Sequence, residues 1–164
     1  ETHGLNAAPF GLDTWRSLTL EAGTPLFETE IEGWIPNDLG LRNALDFEKG
    51  CFVGQEVVSR IENRGEPANR LIGLVVEEGE TETSEPAVPT EGADVLAGDD
   101  TVGEVTRAVE SPSLEEPIAL ALVQSGREED ELSVGIEGEP RAAEPRDLPF
   151  VDGSERSARV PTYR

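Results

Sequence analysis

The 164-residue chain is 36% hydrophobic with only 5% aromatic residues, enough for a modest core in one domain or two small ones. Asp and Glu total 35 against 13 Lys plus Arg, a formal charge of −22. That balance leaves no basic patch to meet phosphate and excludes a nucleic-acid-binding role.

The acids run from Glu1 to Glu155 rather than in one block, and Lys49 is the only lysine. Distributed carboxylate with almost no lysine is the composition expected of a protein from an extreme halophile, where molar salt screens mutual repulsion. No apolar run approaches the roughly 18–20 residues of a membrane span. The N-terminus carries no basic-then-apolar leader. A single cysteine, Cys51, precludes an intrachain disulfide. These features lead us to expect a soluble cytoplasmic protein. The chain opens Glu1-Thr2-His3 and contains no methionine, from which a fragment of a longer protein is expected.

In chain order, Leu12–Ala22 is predicted to be a helix, with Asp13 as N-cap, Trp15, Leu18 and Ala22 on one face, and Gly23 and Pro25 as the stop. Residues 26–47 are mixed, with a turn at Pro36-Asn37-Asp38. A second helix is expected from Gln55 to about Asn63, capped by Gly54, with Glu56 in the first turn where the helix dipole favours an anion.

Beyond Arg70 the pattern changes. Leu71–Val76, Ala93–Ala97, Val102–Val109, Ile118–Val123, Leu132–Ile136 and Arg141–Arg146 are short strands separated by Gly, Pro, Ser and acidic clusters. Such spacing predicts a small antiparallel barrel or sandwich. Glu77–Gly92 is expected as a solvated loop and Gly153–Arg164 as a frayed tail. The fold class is α+β: a helical first part over 1–66 and a β-rich part over 70–152, divided near Gly65-Glu66-Pro67.

Lys49-Gly50-Cys51-Phe52-Val53-Gly54-Gln55-Glu56 holds the only lysine and the only cysteine, two residues apart. A cysteine beside a cation and just before a helix N-terminus is favoured as thiolate. The plainer alternative is a small buried hydrophobe next to a solvated lysine. One Cys, one His and scattered acids make no structural zinc site. His3, at the chain's end, gives no catalytic triad.

The same octapeptide resembles the K-G-C-[FY]-x-G-Q-E signature of the YgfZ family, folate-binding proteins that support iron–sulfur cluster assembly or repair. Leu18-Thr-Leu20-Glu21-Ala22-Gly23-Thr-Pro25-Leu26 resembles the L-R-L-E-A-G-x-P-L segment that YgfZ shares with the glycine-cleavage T-protein, an aminomethyltransferase. Gly103-Glu-Val-Thr106-Arg, Ile118–Val123 and Pro140–Phe150 resemble the barrel of both.

The resemblance implies the C-terminal part of a folate-binding α+β domain followed by an antiparallel β-barrel. It implies a reduced folate such as tetrahydrofolate, held by Glu21, Arg16, Gly54, Gln55 and Glu56, with Cys51 and Lys49 as the functional pair and no metal. Its catalytic aspartate belongs to an N-terminal half that the matching segments do not include. Expected partners are iron–sulfur client proteins or, on the aminomethyltransferase alternative, a lipoyl carrier protein. A third alternative is a packing domain without activity. Three departures stand out: Thr19 where the family has a folate-holding Arg, Phe27 where T-proteins often have Tyr, and Cys51 where they typically have Asp. Arg16 is the substitute expected for the first, and the last favours YgfZ.

Overall fold

The structure is a computed structural model that describes residues 9–41, 44–77 and 87–151, with the backbone alone at residue 64. The anticipated tail lies outside these residues, as does most of the anticipated loop after Glu77.

Six antiparallel strands close into a barrel: β1 (Asn69–Val76), β2 (Asp94–Ala97), β3 (Asp100–Ser111), β4 (Glu116–Gln124), β5 (Leu132–Ile136) and β6 (Glu139–Arg146). Their order around the wall is β1-β4-β3-β2-β5-β6, and β1 pairs with β6 to close it. Every strand expected from the sequence is present. Several extend further, because ladder hydrogen bonds continue past the last apolar residue into the hairpin turns.

Two hydrophobic clusters share β4. Ala119, Ala121 and Val123 face the barrel interior with Leu74, Val76, Val95, Val105 and Val134. Ile118 and Leu120 face outward and are covered by Leu20 and Phe150. A strand buried on both faces needs an unbroken apolar run, which explains Ile118–Val123. Interior alanines suit the narrow lumen of a six-stranded barrel.

Helix α1 (Leu12–Glu21) lies against the outer wall, and α2 (Gln55–Arg64) precedes β1. Between them Phe27–Ile31 form a π-helical turn that the sequence pattern did not reveal. Gly11, not Asp13, occupies the N-cap of α1, in extended conformation, and Asp13 sits in the first turn. The expected apolar face also differs. Trp15 and Leu18 are exposed, while Thr19, Leu20 and Glu21 are buried. The helix meets the barrel at its C-terminal end, where Leu20 packs into the outer cluster and buried Thr19 and Glu21 flank it with polar contacts. The backbone N–H groups of Phe150 and Val151 both donate to the Glu21 carbonyl, at 2.9 and 3.2 Å, tying the segment after β6 over the same spot. Among the described residues no helix is long and apolar enough to cross a membrane.

Candidate functional site

Two buried carboxylates join α1 and the π-helical turn to the barrel. The first is Glu21, the last residue of α1. Its Oε1 accepts from the Ser111 hydroxyl at 2.6 Å and the Ser113 backbone N–H at 3.0 Å, and its Oε2 accepts from the Ser113 hydroxyl at 3.0 Å. Burial pushes the carboxyl pKa up, but these bonds from Ser111 and Ser113 outweigh it and hold the group below its ordinary 4.5. Glu21 therefore grips the β3–β4 hairpin. A group aimed at an open cleft would keep a free oxygen edge, and both oxygens here are engaged.

The second is Glu30, in the π-helical turn and fully buried. Its Oε2 accepts from the Leu26 backbone N–H and the Thr29 hydroxyl, both at 2.7 Å. Its Oε1 accepts from Arg107 Nε at 2.8 Å. The same guanidinium donates from Nη1 to Thr19 Oγ1 at 3.0 Å and from Nη2 to the Thr24 carbonyl at 2.8 Å. Three donors of one fork thus serve three different points of the segment 19–30. Thr19 stands where the resembled families carry an Arg, and the guanidinium beside it comes from β3. Arg16, the expected substitute, is exposed and pairs with Asp13 at 4.0 Å.

The octapeptide is organised differently. Gly54 caps α2 with φ +91°, a left-handed conformation that favours glycine. The Gln55 side-chain oxygen accepts from the Phe52 N–H at 3.2 Å, closing the turn from within. Cys51 is exposed, so the buried-hydrophobe alternative does not hold here. The Lys49 ammonium lies over the Phe52 ring, 4.7 Å from its centroid. Glu56 is exposed in the first turn of α2. Among the described residues no hydrogen bond or ion pair joins Lys49, Cys51, Gln55 or Glu56 to Arg16 or Glu21. The expected site residues fall into two groups, one on α1 and one at the start of α2.

Between the groups, the turn around Asp38 docks on the start of β1. The Asp38 carbonyl accepts from the Leu71 N–H at 2.9 Å. Burial raises the Asp38 carboxyl pKa above its ordinary 3.8, against hydrogen bonds from the Ile35 and Asn69 backbone. The outer side of α1 and the turn presents exposed Leu12, Trp15, Leu18 and Phe27. The described residues contain no group of three or more His, Cys, Asp or Glu able to hold a metal ion.

Sequence reasoning missed Arg107, Glu30, Ser111 and Ser113. A signal existed for the first. Arg107 is the one cation in β3, a strand whose other charges (Asp100, Glu104 and Glu110) are all acidic, and a cation drawn into the wall must find a buried partner.

The six-stranded antiparallel barrel is that of the C-terminal domain of glycine cleavage T-proteins. The crystal structure of the glycine cleavage system aminomethyltransferase T from Bartonella henselae superposes on 92% of this chain with a TM-score of 0.75 and 26% identity, over 41% of that protein. Residues 69–152 match the family model described as the glycine cleavage T-protein C-terminal barrel domain, and the chain belongs to that family.

Curated relatives agree. The aminomethyltransferase of Streptomyces coelicolor is 36% identical over 149 residues, 87% of this chain and 38% of that protein. That of Symbiobacterium thermophilum is 34% identical over 152 residues, 90% of this chain and again 38% of the relative. The chain therefore spans under two fifths of these relatives' length. Of the two functional expectations, these relatives favour the alternative, aminomethyl transfer, and lend no support to the leading one, iron–sulfur assembly.

Proposed function

We propose that this chain is the barrel-bearing portion of a tetrahydrofolate-dependent aminomethyltransferase of T-protein type. The likeness to aminomethyltransferases over about nine tenths of the chain carries this reading. In that reaction the aminomethyl carbon passes from a lipoyl carrier protein to tetrahydrofolate and ammonia is released.

The residues here suit folate binding in one respect and not in another. Phe27 is exposed on the π-helical turn and gives a flat apolar surface of the kind a pterin ring lies on. Glu21, the acid expected to hold the pterin, is occupied by Ser111 and Ser113. In this reading Glu21 shapes the folate face by fixing the hairpin. Arg16, Gly54, Gln55 and Glu56 remain candidates for the glutamate tail or the carrier protein, and none of them is assigned a proton-transfer step.

The octapeptide with exposed Cys51 supports a second reading, a folate-binding accessory of iron–sulfur metabolism with Cys51 and Lys49 as its functional pair. Two assays separate the readings. Cys51→Ser leaves ammonia release from the aminomethylated carrier unchanged on the first and abolishes rescue of an iron–sulfur-deficient strain on the second. An unchanged rescue removes the second reading. Absence of carrier-dependent ammonia release removes the first.

A further inference from the structure

We infer that Arg107 and Glu30 form a positioning device that holds the π-helical turn Phe27–Ile31, and with it Phe27, in the geometry that binds folate. This rests on the folate-binding reading above.

The backbone of β3 is built to place Arg107 there. Val105 pairs with Ala121, but the register then shifts, and Arg107 pairs with Leu120. Without the shift Arg107 would oppose Ala119, which lines the barrel interior. With it Arg107 shares the outward face of Leu120, beside Leu20 of α1. Thr106 is the extra residue, and its hydroxyl donates to the Leu120 carbonyl at 3.1 Å, securing the bulge. Bulges of this kind re-aim a side chain. This one moves a guanidinium from a closed lumen to the seam between wall and helix.

At that seam the guanidinium is 9% exposed and Glu30 is fully buried. A five-residue π-helical turn is too short to persist on its own hydrogen bonds, and such turns are often found at functional sites. The turn does close its wide ring, with the Ile31 N–H donating to the Leu26 carbonyl at 3.0 Å and the Glu32 N–H to the Phe27 carbonyl at 2.9 Å. The Glu30 carboxylate reinforces it by reaching back to the Leu26 N–H at 2.7 Å and forward to Arg107 at 2.8 Å. Phe27, the first residue of the turn, is 65% exposed. The chain thus spends a buried ion pair to present an apolar ring to solvent. Stability alone is a weak reason to keep such a pair, because well-packed apolar residues of the same volume often match it, whereas a defined geometry is a sufficient one.

The test uses the protein carrying this chain as its organism makes it. Arg107→Met and Glu30→Leu are made singly and together, and Arg107→Lys is the second variant, keeping the charge but losing the fork. Thermal midpoint, tetrahydrofolate affinity and hydrogen exchange at the Ile31 and Glu32 amides are measured. The expected result is a lowered midpoint in each single variant and a recovered midpoint in the double. Despite that recovery, exchange at the two amides quickens at least tenfold and the Kd for tetrahydrofolate rises at least tenfold. Arg107→Lys shows a smaller change in the same two readouts. Unchanged exchange, or wild-type affinity in a double variant with quickened exchange, overturns the positioning role. A wild-type protein that binds no tetrahydrofolate overturns the folate reading and the role that rests on it. The exchange result still reports whether the pair holds the turn.

Discussion

Replacing Gly103 with alanine should break the barrel, while the same replacement at Gly135 should not. Gly103 lies in β3 opposite Val123 of β4. A Cβ at Gly103 would stand 2.3 Å from the Leu122 carbonyl oxygen and 2.9 Å from Val123 Cα. Both are backbone atoms of the paired strand, so relief requires the ladder itself to open. At Gly135 in β5 the nearest atom, the Asp94 carbonyl oxygen, is 4.0 Å away, an ordinary contact. Overpacking in a core costs about 1–3 kcal/mol, and rigid backbone neighbours put Gly103→Ala at the upper end or above. Gly135→Ala removes only unfolded-state freedom and should stabilise by about 0.4–1 kcal/mol. Denaturant unfolding in molar KCl reads both, with the midpoint moving and the slope m constant. A loss of about 3 kcal/mol corresponds to a fall in Tm of roughly 6–12 °C for a chain of this length. Equal stability of the two variants would refute the register assigned to β3 and β4.

Further outcomes follow from the clasps, the core and the charge. Glu21 has its pKa lowered from 4.5, so its stabilisation is complete above that value and is lost as pH falls through the folded-state value. Glu21→Gln should therefore cost about 1.5–3 kcal/mol near neutrality, with the gap to the parent narrowing below pH 4.5; a gap independent of pH contradicts the clasp. Leu120→Ala, at a fully buried position of the outer cluster, should cost about 2–5 kcal/mol in the same unfolding assay. With a formal charge of −22, the chain should lose its circular dichroism signature as KCl falls from about 3 M to about 0.1 M, where the Debye length grows to about 10 Å. Retention of structure in dilute salt would remove the halophile reading.

The barrel was legible because its signals are local. Alternating or continuous apolar runs between Gly, Pro and acidic turns give the strands, and β4's unbroken Ile118–Val123 foretells burial on both faces. Helix α2 was legible for a similar reason, with Gly54 marking its start. The outward face of α1 was not. Helical spacing of Trp15 and Leu18 identifies an apolar stripe without saying whether it faces this chain's own core. The π-helical turn escaped because its wide ring depends on Glu30 and on Arg107, 77 residues away. Glu21 was visible as a notable acid, but its partners Ser111 and Ser113 lie 90 and 92 residues on and carry no periodic signal. The departure at Thr19 is plain from its neighbours in sequence, which point to Arg16 one turn away as the nearest guanidinium. The fold supplies it instead from a bulge in β3.

The most direct test of the central claim is carrier-dependent aminomethyl transfer by the protein carrying this chain, in molar KCl, with tetrahydrofolate and the aminomethylated lipoyl carrier. The account predicts ammonia release that requires both tetrahydrofolate and the carrier. Folate binding without ammonia release, in a protein whose folding is verified under the same conditions, would contradict it.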